Sequence, residues 1–210
     1  MQIGASPDLI KACLRIVLDE VEHARLSHAA YLNAGGTAAP GLSRERLGLR
    51  RADEAHEPLE RDVARTAVSV FCLGETVAVP LFKSLREGCT VPVARRVLDR
   101  VLRDEVRHRD FGWVLLDWLL EQPFGADVRA LIDRELPRML ARVSEEYGLT
   151  TADLPGSVDP AERAWGLMAP LEYGKIVQRT LSRDWVPRFR KRGFDAASAW
   201  ERGVIPLLSR

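Results

Sequence analysis

Asp19-Glu20-Val21-Glu22-His23 and Asp104-Glu105-Val106-Arg107-His108 are nearly the same pentapeptide, 85 residues apart. Each sits in the middle of a long stretch with helical apolar periodicity. A Glu at i and a His at i+3 point from one helix face. In the first helix the apolar stripe runs Cys13, Ile16/Val17, Glu20, His23/Ala24, Ser27, Ala30/Tyr31; in the other it runs Val97/Leu98, Val101, Glu105, His108, Gly112, Leu115/Leu116, Leu119. Both pairs therefore fall on faces expected in the core. Buried carboxylates without compensation are costly or keep their protons, and bound cations supply that compensation. The repeat predicts two halves related by a pseudo-two-fold axis, with metal-ligating groups at the axis.

Between the copies lies Val68-Ser69-Val70-Phe71-Cys72-Leu73-Gly74-Glu75-Thr76-Val77-Ala78-Val79-Pro80-Leu81-Phe82, an apolar run with a single acid. Glu75 falls on the stripe Val68, Phe71/Cys72, Glu75, Ala78/Val79, Phe82, where it is placed to bridge two metals. Gly74 and Pro80 predict a locally disturbed helix.

Helix is the signal almost everywhere, and strict strand alternation is absent. Ser6-Pro7-Asp8 starts the first helix, and Ala34-Gly35-Gly36 stops it. Helices are predicted at 7–33, 57–88, 91–121, 126–147 and 160–182, with a Gly/Arg-rich loop or lid at 35–55 and a polar link at 149–160. Short links at 88–91 and 122–126 force antiparallel neighbours. The expected fold is an all-α antiparallel bundle over residues 1–150, with residues 151–210 as a helical extension packed on the same domain.

The chain has 210 residues, of which 46% are hydrophobic, so a sizeable core is available. With 31 basic and 30 acidic residues the net charge is +1, against a nucleic-acid partner. Three cysteines, Cys13, Cys72 and Cys89, without CxxC spacing argue against a zinc site or disulfide framework and point to the cytoplasm. No 18-residue apolar stretch is read, so no membrane span is expected. His28 is expected to face solvent or an interface, and His56 to start a helix. Trp113, Trp118, Trp165, Tyr173, Trp185 and Trp200 read as core or pocket wall. Arg183, Arg188, Arg190, Lys191 and Arg192 read as a solvated face, or as a holder for an acidic substrate or carrier.

The order Glu-x-x-His, lone buried Glu, Glu-x-x-His over about residues 7–121 resembles the ferritin-like di-iron carboxylate superfamily. The resemblance implies Glu20, His23, Glu75, Glu105 and His108 as metal ligands. Asp-Glu-x-Arg-His at 104–108 is similar to the motif of its oxygen-activating members. There the Asp before each Glu supports a ligand histidine, which assigns that task to Asp19 and Asp104, with Arg107 beside them. Two iron ions, or a manganese–iron pair, are implied, with no organic cofactor and with a small or carrier-bound organic substrate of an oxidase or oxygenase. An iron-handling protein and a non-catalytic scaffold or partner subunit are the alternatives. The family carries one more helix and one more Glu ahead of the first motif, for which the residues before Glu20 leave no room. The sixth ligand is then expected from a second copy, a partner chain, an N-terminal part absent from this chain, or a later acid, Glu135 or Glu172. An open apolar groove beside the helices of Glu20 and Glu75 is expected to hold a second copy or partner chain, unless the helix at 126–147 or 160–182 folds back into it and leaves a monomer.

Overall fold

A computed structural model describes residues 3–37, 57–148 and 156–208 of the chain, and these are helical without any strand. The greater part of the expected lid at 35–55, His56 and most of the polar link at 149–160 lie outside the described residues. Helix α1 is Pro7–Asn33, started by the Ser6 side chain, which accepts from the Leu9 N–H, and by Pro7 in the first turn. Gly35, at φ 93°, takes the left-handed conformation just past its end. Helix α2 is Leu59–Gly88, α3 is Pro92–Glu121 and α4 is Gly125–Glu146. Three-residue links on either side of α3 leave no room for a crossover, so α2, α3 and α4 pack antiparallel.

Side-chain pairings give the same sense. Cys72 donates to the Gly112 carbonyl at 3.4 Å, and Arg86 pairs with Asp99, so α2 and α3 run in opposite directions. Asp19 lies against His108 and His23 against Asp104, so α1 is antiparallel to α3. The core forms mainly between α2, α3, α4 and the C-terminal helices, around Leu73, Leu116, Ile132, Leu140, Trp185 and Phe189. Helix α1 packs chiefly on α3 and contributes little to that core: its buried residues are Ile16, Asp19 and His23.

Three sequence expectations are corrected here. The segment 160–182 is not one helix. Helix α5 is Pro160–Ala164, and the chain then turns through Gly166 at φ 90°. The next helix, α6, spans 170–190, passing Pro187 because that proline follows a π-helical turn at Leu181–Trp185. Helices α7, Ala196–Gly203, and α8, Ile205–Leu208, complete the described chain. Second, Leu59–Gly88 is long and apolar enough to cross a membrane by length and composition. In this fold it is the helix around which α3, α4 and α6 pack.

Third, the stripe read for α2 is buried at Val68, Cys72 and Ala78, but Glu75 on it is only half-buried. Ala67–Glu75 is wound as a π-helix, so one extra residue enters the turn and shifts the phase. The buried positions are Ala64, Ala67, Val68, Cys72, Leu73, Thr76, Val77, Ala78 and Leu81. Glu75 lies half-buried beside them, and Val70 is 47% exposed. The disturbance expected at Gly74 is this winding.

Candidate metal centre

The two Glu-x-x-His faces meet where α1 crosses α3. His23, Glu105 and His108 are buried, while Glu20 has a half-exposed side chain. Oxygen and nitrogen atoms fall into two overlapping groups, each within 4.8 Å: Glu20, Glu75 and His108, and Glu20, His23 and Glu105. All five residues singled out from the sequence are thus brought together. The position common to both groups is Glu20, whereas the sequence suggested Glu75 for bridging.

The imidazoles are oriented from behind, and crosswise. His23 Nε2 lies 3.1 Å from Asp104 Oδ2, and His108 Nε2 lies 3.5 Å from Asp19 Oδ2. Each Asp therefore serves the histidine of the other helix. The carboxylate behind His23 favours a proton on Nε2 and leaves the Nδ1 lone pair directed at the glutamates. Nδ1 of His23 is 3.4 Å from Glu20 and 3.6 Å from Glu105; Nδ1 of His108 is 3.1 Å from Glu20 and 3.8 Å from Glu105.

Arginines hold both aspartates in turn. Arg107 donates to Asp19 at 2.9 Å and to Asp104 at 2.6 Å, and Arg100 donates to Asp104 at 2.6 Å. Arg15 stands 3.3 Å from Asp19. Arg15 and Arg100 each precede their Asp by four residues, so the repeat extends back to these arginines. Arg15-Ile16 matches Arg100-Val101 at the same 85-residue offset. That longer match was available in the sequence and passes unnoticed when only the pentapeptides are compared. Burial raises the Asp104 carboxyl, but Arg100, His23 and Arg107 outweigh it and hold it at about 2; Asp19 is likewise lowered, against its burial, by Arg107.

Inside this ring the balance reverses. Burial and then the adjacent Glu75 push the Glu105 carboxyl far above the ordinary glutamate range. Burial lowers His108, but Glu20 and the charge of Glu75 overcome it and raise the imidazole. Glu105 Oε2 and both ring nitrogens of His108 are buried without a hydrogen-bond partner among the described residues. Three crowded carboxylates, two imidazoles and unpartnered buried donor atoms form a set that a divalent cation satisfies and that hydrogen bonding inside the protein does not.

Glu135 and Glu172 are not part of it. Arg65 donates from Nε and Nη2 to the two Glu135 oxygens at 2.8 and 3.0 Å, at the α2–α4 edge. Glu172 takes Lys175 at 2.6 Å on the surface of α6. Both acids sit on helix stripes, but those stripes end at the bundle rim where basic partners claim them. The C-terminal basic cluster is also reassigned in part. Arg192 lies over the Trp113 ring at 4.7 Å and bonds Asp117, and Arg188 lies 5.5 Å from the same ring, so these two close the core over Trp113. His28 is exposed and stacks near Tyr31. Trp113, Trp185 and Trp200 are buried core residues.

Sequence reasoning missed Tyr147. It follows the last turn of α4 and lines a cavity of about 400 Å³ together with Glu20, Glu75 and Glu105. Burial, then the charges of Glu75 and Glu105, push its phenol up to about 12. Its position depends on the length of α4 measured from the turn at Gly125, and no local motif marks it.

Comparison of the chain with known protein families, curated proteins and solved structures gives no match. The fold and the site by themselves define an all-α protein with a Glu/His cluster capable of holding metal.

Proposed function

We propose that this chain is a ferritin-like di-metal carboxylate protein, with two iron ions or a manganese–iron pair held by Glu20, His23, Glu75, Glu105 and His108, acting as an oxygen-dependent oxidase or oxygenase on an organic substrate. The observation that carries this reading is the pair of overlapping ligand groups sharing Glu20, whose buried Glu105 Oε2 and His108 ring nitrogens make no hydrogen bond among the described residues. Imidazole and carboxylate together suit iron and manganese. Two ferrous ions bound there supply the electrons that reduce dioxygen.

The protein's own part follows from the geometry. Asp104 and Asp19 hold the imidazoles in place, so Nδ1 of His23 and Nδ1 of His108 face the glutamates. Metal charge would displace the proton that crowding otherwise keeps on Glu105. Tyr147, whose phenol is raised, keeps its proton at neutral pH in the wall of the cavity beside the glutamates. The cavity walls Val70, Phe82, Met139 and Val143 supply an apolar surface for an organic molecule next to the carboxylates.

Metal content per chain, measured by mass spectrometry on anaerobically purified protein, tests the reading. Two metals per chain are expected, with a loss in His23→Ala, in His108→Ala and most in the double variant. No bound metal, or a double variant that loads as fully as the parent chain, rejects the centre and leaves the scaffold alternative.

A further inference from the structure

The cavity at the metal centre does not end at its apolar wall. Ser69, Met139 and Arg142 line it and also line a second cavity of about 660 Å³. Four arginines surround that second space: Arg65 from α2, and Arg134, Arg138 and Arg142 at successive turns of α4. Their acids gather on Arg65: Glu57, Asp62 and Glu135 all pair with it, Glu135 is shared with Arg134, and Glu146 takes Arg142 at 2.9 Å. Arg138 has no acidic partner among the described residues. The two adjoining spaces thus differ in charge: one holds Glu20, Glu75, Glu105 and Glu146 and has an apolar side at Val70, Phe82, Met139 and Val143, and the other sets four arginines against Glu57 and Glu135.

We infer that the substrate of this centre is a small amphipathic anion whose acid group is held by Arg138 and Arg142 while its apolar body lies between Val70, Phe82, Met139 and Val143. The inference rests on the proposed metal-centre reading for what happens to that body. A guanidinium fork matches a carboxylate in two hydrogen bonds, and an arginine without an acid of its own is free to do so. The Glu146 partner of Arg142 is replaced by the incoming acid or shares the guanidinium with it. A neutral molecule of the same shape gains the apolar contacts alone, and a cationic one meets the rim with the wrong sign.

Octanoate, 1-octanol and octylamine serve as probes, each titrated by calorimetry into the full chain as purified. Octanoate is expected to bind at least tenfold tighter than 1-octanol, and octylamine weakest. The Arg138→Gln/Arg142→Gln variant, altered only on an exposed face of α4, is expected to lose that tenfold preference while keeping its affinity for 1-octanol; Lys at both positions restores part of it. Val70→Trp, which fills the cavity from an exposed position, is expected to weaken octanoate and 1-octanol alike. Equal binding of octanoate and 1-octanol, or octanoate binding untouched by either variant, overturns the inference. Metal content on the same samples separates the two readings. Octanoate selectivity without metal leaves the cavity assignment standing and removes the centre, and metal without selectivity does the reverse.

Discussion

His23 and His108 each depend on an aspartate carried by the other helix, so a single substitution has an off-diagonal effect. Asp104→Asn removes the acceptor 3.1 Å from His23 Nε2, although Asp104 lies four residues from His108 on its own helix. The expected result is a drop in metal affinity of about 10–100-fold, the usual cost of losing a carboxylate behind a ligand imidazole. Competition with a chromophoric chelator measures it. The group containing His23 should empty first, so occupancy falls from two towards one. The same residue fixes an acid limit. Asp104 titrates at about 2 in the fold against an ordinary 3.8, so the folded state binds this proton less readily than the unfolded chain. The stabilisation is complete above the unfolded value and is lost as pH falls from about 4 towards 2. Thermal melts across that range should show a steep loss of stability in the parent chain and a shallower one in Asp104→Asn.

Among the elements, α2 and α3 approach each other too closely at Gly112 for a side chain. A Cβ placed there would lie 2.4 Å from the Phe71 Cβ and 2.8 Å from the Phe71 carbonyl carbon. The contact sits in the π-helical turn that ends at Glu75, so it sets the distance between Glu75 and the Glu105/His108 face. Gly112→Ala forces the helices apart and is expected to cost about 1–3 kcal/mol, the range for overpacking, measured by urea denaturation. Metal occupancy should fall with it, because Glu75 moves away while the other four ligands stay.

Helix ends were legible where local chemistry sets them: Ser6-Pro7 at the start of α1, Pro92 at the start of α3 and Gly148 after α4. The five clustered residues were legible because the repeat marks four of them and isolation in an apolar run marks Glu75. Of the π winding only a local disturbance at Gly74 was legible, since the i→i+5 pattern leaves little trace in composition. The crosswise pairing of Asp19 and Asp104 was not legible, because it depends on how two antiparallel helices register. The break at 165–169 depends on Gly166 fitting against Leu98 and Cys89, residues far away in sequence.

For the molecule as a whole, α1 stands apart. Leu14, Val17, Leu18 and Val21 on it remain exposed, between 54% and 65%. Apolar faces of this kind mark contact sites. The expected outcome is self-association, read as a mass above that of a single chain in light scattering at rising concentration, and a return towards the monomer in Leu18→Glu. A chain that stays monomeric with full metal loading would show that the centre needs no further subunit.

The way α1 is attached has a kinetic consequence. Its grip on α3 is made of charges and imidazoles, with Ile16 as its one buried hydrophobic side chain, whereas α2, α3 and α4 share a continuous oily interior. Closing α1 onto α3 also spans the 85 residues that separate the two motifs, a long loop to order. The three-helix unit should therefore consolidate first and α1 should shut last, as a clasp that the proposed metal ions would fasten. Until it shuts, neither ligand group is complete, since Glu20 belongs to both. On the proposed reading, metal capture and the final folding step become one event, and amide hydrogens of α1 should exchange early in chelated protein and late once ferrous or manganous ion is added.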